Sequence, residues 1–221
     1  MSDSLTVPFS DLRSTADGFD PQLDEFFSYE ENLTYELRWP QGNSTRPGVL
    51  IYISPKPGAG LPEGWTAVLD EHNLIWVGAH NSGNEVHVAR RVGMAQLGAV
   101  LAAQSGAIDP DKIILSGFSG GGRVASMMIP AYPRHYCGAL FICGANPMFT
   151  ATQETLDSLH TVPLVFLTGE HDFNLEDTRM AIVSYQQAGL TNTHLFEIEG
   201  LEHALPDARG LDQALKLIQR T

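Results

Sequence analysis

Ile113-Ile114-Leu115-Ser116-Gly117-Phe118-Ser119-Gly120-Gly121-Gly122-Arg123-Val124-Ala125 decides how the rest of this chain is read. An apolar run starts a buried strand, glycines force a turn, and a helix begins on the far side with Ser119 at the apex. The Gly-x-Ser-x-Gly spacing has a mechanical reason. A serine on a sharp strand-to-helix turn needs neighbours without side chains, so that the backbone can bend and Oγ can protrude. Ser119 is therefore a candidate nucleophile. Glycine and serine are common in loops, so the pattern carries weight only if its surroundings fit and two chemical partners can be found.

Working outward from the turn, Asp109-Pro110-Asp111 leads into the strand, and a helix is expected from about Gly121 to Ile129, ended by Pro130 and Pro133. Upstream, Val49 to Ile53 and Leu74 to Ala79 are continuous apolar runs, the pattern of strands buried on both faces. Leu33, Tyr35, Leu37 and Trp39 alternate with polar residues, as in an antiparallel strand near a sheet edge, and Pro40 to Ser44 reads as a turn. A short helix is expected around Trp65 to Asp70. Val88, Val92, Ala95, Ala99 and Ala102 share one face of a longer one. Downstream, strands are expected at about 138–143, 164–167 and 194–198, with helices at about 152–159, 175–188 and 207–220. Strands alternating with helices mean a mostly parallel, twisted sheet covered on both faces, an α/β architecture. Residues 1–32 are acidic and show little periodicity, which predicts an irregular N-terminal arm over one domain formed by residues 33–221.

The chain has 221 residues, enough for one sizeable core, and a net charge of −13 from 26 acidic and 13 basic residues. Clustered Lys and Arg, which a phosphate-binding surface needs, are missing, so nucleic acid and anionic membranes are not expected partners. A neutral or cationic small substrate suits that charge better. No stretch approaches the length of a membrane span, and Met1 to Leu5 has neither the basic start nor the apolar segment of a signal peptide. A cytoplasmic location is expected, or secretion with a leader already removed. If Cys137 and Cys143 flank one strand they lie about 20 Å apart, too far for a disulfide, and should be free thiols. No metal-binding motif occurs, and no cofactor is expected.

A parallel α/β sheet carries its working groups at the carboxyl ends of its strands. Past Leu164 to Leu167 comes Thr168-Gly169-Glu170-His171-Asp172-Phe173-Asn174, and past His194 to Ile198 comes Glu199-Gly200-Leu201-Glu202-His203. A serine hydroxyl needs an imidazole to take its proton, and that imidazole needs a carboxylate to orient it. Ser119, Asp172 and His203 meet this requirement in that order along the chain. His171 reads as a bystander, and Glu170, Glu176 and Asp177 as competitors for the acid's role.

With these residues in place, the chain from about residue 33 onward resembles the α/β-hydrolase fold. Within that fold it is loosely similar to compact esterases of the polyhydroxybutyrate depolymerase and feruloyl esterase type. The resemblance implies a serine hydrolase acting on a small-molecule carboxylic ester through an acyl-enzyme. It leaves open a peptidase or thioesterase using the same triad, or a non-catalytic binding protein of the same fold. It also implies an oxyanion hole, with the Gly120 N–H as one donor. Where the family often has His-Gly, this chain reads Ser54-Pro55-Lys56-Pro57-Gly58. The prolines have no N–H, which leaves Lys56 as the expected second donor and Gly58 as its reserve. Phe118, Met148, Phe149 and Phe173, together with His80 and Asn81, are candidates to line the pocket, and Arg123 is expected to be a structural ion-pair partner. Only residues 146–162 stand where lipase-like relatives insert a lid, which predicts no lid domain and a shallow cleft suited to short or small esters.

Overall fold

The apolar runs at residues 49–53 and 74–79 pair in parallel at the centre of one sheet in the computed structural model, which describes residues 2–42, 45–148 and 151–219. The strands are β1 (Asp3–Pro8), β2 (Asn32–Arg38), β3 (Gly48–Ile53), β4 (Leu74–Ala79), β5 (Ile113–Phe118), β6 (Gly138–Ile142), β7 (Leu164–Gly169) and β8 (Thr193–Ile198). Their order across the sheet is β1-β2-β4-β3-β5-β6-β7-β8. β2 runs antiparallel to both β1 and β4, and every other pairing is parallel. The helices are α1 (Phe9–Arg13), α2 (Thr66–Glu71), α3 (Val88–Ser105), α4 (Gly120–Ala131), α5 (Gln153–Leu159), α6 (Leu175–Gln187) and α7 (Ala208–Gln219).

Because strand side chains alternate between faces, β3 feeds two cores. Val49, Ile51 and Ile53 join one that includes residues of α1, α3, α4 and α6, whereas Leu50 and Tyr52 join the other with α2 and α7. Trp65 and Trp76 fill the second core edge to face, and their indole N–H groups donate to Pro206 O and Ala59 O. A buried guanidinium, Arg38, ties β2 to α2 through Asp70 at 2.7 Å.

Two expectations change. The N-terminal arm is ordered in elements of its own: β1 forms the sheet edge on β2, and α1 is followed by a 3-10 turn at Pro21–Phe26. Phe9, Leu12, Phe19 and Leu23 are buried against α3 and its neighbours, so apolar burial outweighs the acidic composition. The second change is at Pro130, which lies inside the last turn of α4 and does not end it. Proline removes the hydrogen bond to the carbonyl four residues back, that of Ser126, and the Tyr185 hydroxyl donates to this oxygen at 2.9 Å. The turn expected at Pro40 to Ser44 falls partly outside the described residues, and Phe149 and Arg220 lie outside them. Cys137 and Cys143 flank β6 as free thiols.

Candidate active site

β5 ends at Phe118, and Ser119 follows with φ 54° and ψ −120°, a conformation that residues with a Cβ rarely adopt. Two glycines make the bend possible. A Cβ on Gly117 would run into the backbone of Gly121, and one on Gly121 would run into the carbonyl oxygen of Ile53 at the end of β3. The turn is pinned by Ser119 N–H donating to Ile142 O at 2.8 Å and Arg123 N–H donating to Ser119 O at 3.1 Å. α4 starts immediately afterwards without a side-chain cap, so the N–H of Gly120 has no intrahelical partner and points its partial positive charge outward.

The loops after β7 and β8 bring the other two residues to this serine. His203 Nδ1 lies 2.7 Å from Asp172 Oδ1, and its Nε2 lies 2.9 Å from Ser119 Oγ. A carboxylate only accepts, so the Nδ1 proton belongs on the Asp172 side, leaving the Nε2 lone pair for the serine hydroxyl. Asp172 is buried and well anchored: Oδ2 accepts from Thr168 Oγ1 at 2.8 Å, and Oδ1 also accepts from Asn174 N–H at 2.9 Å. Burial pushes its pKa up, but hydrogen bonds from Asn174 N–H, His203, Thr168 and the Cys143 thiol outweigh this and hold it below the ordinary value of 3.8. Asn174 is braced in turn, donating to Cys143 O at 2.9 Å and accepting from Arg123 at 3.3 Å. Arg123 also meets Asp177 at 3.0 Å, a bridging role away from the serine.

Two aromatic rings lie against the imidazole. Phe118 is 5.0 Å from it between centroids and Phe173 is 4.0 Å away, and Phe173 is 78% exposed. Three other residues expected near the pocket make structural contacts. Met148 packs against the core of α4 and α6, its N–H donating to Ser184 Oγ at 2.8 Å. His80 spends both ring nitrogens on structure, Nδ1 accepting from Ala59 N–H and Nε2 facing Glu36, each at 3.3 Å. Asn81 sits in a turn with φ 55° and donates its N–H to Pro57 O at 2.6 Å. These two residues brace the loop after β3. The assignment of Lys56 as second oxyanion donor is also corrected, because its N–H donates to Ser54 Oγ at 3.0 Å within its own turn.

Among the described residues, Cys143, Asp172 and His203 place potential ligand atoms within 4.8 Å of one another. Burial and the nearby Asp172 charge push the Cys143 thiol far above its ordinary pKa, so it keeps its proton, and its Sγ donates to Ala204 O at 3.4 Å. A protonated thiol is a poor metal ligand and a poor nucleophile. A cavity of about 840 Å³ bordered by Leu74, Ile114, Cys137 and Pro163 lies at the opposite, amino-terminal end of the strands.

Strand order, the strained serine turn and the hydrogen-bonded chain behind it together define an α/β-hydrolase. The sequence profile of the phospholipase/carboxylesterase family matches residues 84–221, more than half of the chain, and the protein belongs to that family. It is accordingly an ester-hydrolysing enzyme. Among solved structures it is similar to a ferulic acid esterase, with TM-score 0.71 and 14% identity over 100% of this chain and 98% of the other. An S-formylglutathione hydrolase from Staphylococcus aureus gives 0.64 and 12% over 98% and 96%. An esterase from the planctomycete Thermogutta terrifontis gives 0.60 and 16% over 86% of each chain. These likenesses bear out the expected fold. Among curated proteins nothing matches the chain. No helix among the described residues is long and apolar enough to cross a membrane.

Proposed function

We propose that Ser119, His203 and Asp172 act as nucleophile, general base and orienting acid in the hydrolysis of small, short-chain or aromatic carboxylic esters. The supporting observation is the continuous chain Asp172–His203–Ser119, at 2.7 and 2.9 Å, ending on a serine with φ 54°. Ser119 Oγ attacks the ester carbonyl while His203 Nε2 takes its proton. The carbonyl oxygen becomes an oxyanion facing the Gly120 N–H. On collapse of the tetrahedral intermediate the C–O bond to the alcohol breaks, and His203 returns the proton to that alcohol. Water then attacks the acyl-enzyme, giving its proton to His203, and the acid leaves as Ser119 recovers its hydrogen. Asp172 stays ionised throughout and stabilises the imidazolium.

The exposed Phe173 ring and Phe118 beside His203 give the leaving group or acyl chain an aromatic wall open to solvent, which suits compact substrates. The acidic surface favours neutral or cationic ones. On p-nitrophenyl esters, activity is expected to peak at short acyl chains, and Ser119→Ala should lower kcat on the order of 10⁶-fold. A peak at long chains would overturn the substrate reading, and near-native turnover in Ser119→Ala would overturn the nucleophile.

A further inference from the structure

The loop after β3 does not offer the second oxyanion donor expected of it at Lys56. Pro55 and Pro57 carry no N–H, and the Lys56 N–H is bonded to Ser54 Oγ. Facing this loop, Asn84 lays its side-chain amide directly over Gly120. The site a Cβ on Gly120 would occupy is filled by that amide, with Nδ2 2.9 Å from it and Oδ1 closer still. We infer that the Asn84 side-chain amide is the second oxyanion donor, an inference that rests on Ser119 being the nucleophile.

The distances suit the role. Nδ2 lies within about 5.5 Å of the Gly120 nitrogen, given ordinary backbone bond lengths. Two donors that each sit about 2.7–3.1 Å from one oxygen can be up to about 6 Å apart. Among the described residues none hydrogen-bonds the Asn84 side chain, so its NH₂ is available, and a half-turn about χ2 brings either end of the amide forward. Its backbone, in contrast, is fixed. Asn84 N–H donates to Pro55 O at 2.9 Å, and Gly83 packs so closely on Lys56 that an added Cβ would lie 2.8 Å from that residue's carbonyl carbon.

Behind both loops stands Arg91, 5% exposed, with Nε donating to Ser82 O at 2.7 Å and Nη2 to Ser54 O at 2.9 Å. One buried guanidinium thus ties the segment carrying Asn84 to the segment across from it, which holds the donor in place before the oxyanion forms. The glycine after the nucleophile acquires a second meaning: it leaves room for the amide.

A donor to the oxyanion acts in the transition state and leaves ground-state binding nearly unchanged. With a p-nitrophenyl ester of short chain, Asn84→Ala should lower kcat by about 10²–10³-fold while KM moves by less than about threefold. Affinity for a trifluoromethyl ketone, which forms the tetrahedral adduct, should fall in parallel with kcat. Asn84→Asp, which cannot donate and places a negative charge beside the oxyanion, should lose at least as much. Asn84 is exposed, so both variants should keep the native melting temperature. A kcat for Asn84→Ala within about threefold of wild type, with Ser119→Ala inactive, would overturn the inference and leave the nucleophile intact. So would a rise in KM at constant kcat. Turnover surviving in Ser119→Ala would overturn the nucleophile itself and the inference with it.

Discussion

At the scale of single residues, Asp172 and Cys143 sit side by side in one buried niche and are driven in opposite directions. Four hydrogen bonds make the carboxylate the stable form of Asp172 in spite of burial, while burial with no compensating positive charge keeps Cys143 a thiol. The two therefore have separable roles. Asp172→Asn should lower kcat about 10⁴-fold, since an amide can hold the imidazole in the wrong tautomer. Cys143→Ser should keep kcat within about tenfold of wild type, because a serine hydroxyl preserves the donor that the thiol offers toward Asp172 and Ala204 O. Steady-state kinetics on both variants checks the contrast, and inactivation by Cys143→Ser alone would reverse the roles.

The juxtaposition of Ser119, His203 and Asp172 was legible in the sequence because each follows a strand whose apolar run is unmistakable. The oxyanion loop was not. A local bond from Ser54 Oγ captures the Lys56 N–H, and sequence does not reveal such side-chain competition for backbone groups. Asn84 lies in a polar loop without periodicity and is marked only by what it touches.

At the scale of elements, β5, the serine turn and α4 form a unit whose geometry is set by contact with β3. The Ile53 carbonyl oxygen occupies the space where a side chain at position 121 would begin. Gly121→Ala must push the turn away from β3, and the cost should exceed about 4 kcal/mol, or roughly 10 °C in melting temperature. Calorimetry on the variant tests this, and an unchanged melting temperature would contradict the tight approach. The central strands could be read from the sequence because they are apolar on both faces. β1 could not: Leu5 and Val7 alternate with polar residues over only six positions, too few to stand out in an acidic stretch. α4 runs past the end that Pro130 predicts, for a different reason. Proline stops a helix when the carbonyl it frees stays unpaired, and here Tyr185, 59 positions away from Ser126, supplies the missing donor.

At the scale of the whole molecule, the N-terminal segment is part of the core. Burying Phe9, Leu12, Phe19 and Leu23 contributes about 6–12 kcal/mol, comparable with the total stability of about 5–15 kcal/mol expected of a domain. Removing residues 1–31 would also leave β2 as an unpaired edge. The truncated chain should lose cooperative thermal unfolding by circular dichroism, whereas a dispensable arm would leave the transition within a few degrees of the full chain. Around this frame two loops and one strained turn bring His203, Asp172 and Ser119 together, an arrangement that makes Ser119 the reactive residue. Intact-protein mass spectrometry after exposure to a fluorophosphonate tests it most directly. One adduct per chain is expected, mapped to Ser119, absent in Ser119→Ala and retained in Cys143→Ser; an adduct on another residue, or none on the folded wild-type protein, would rule out Ser119 as the nucleophile.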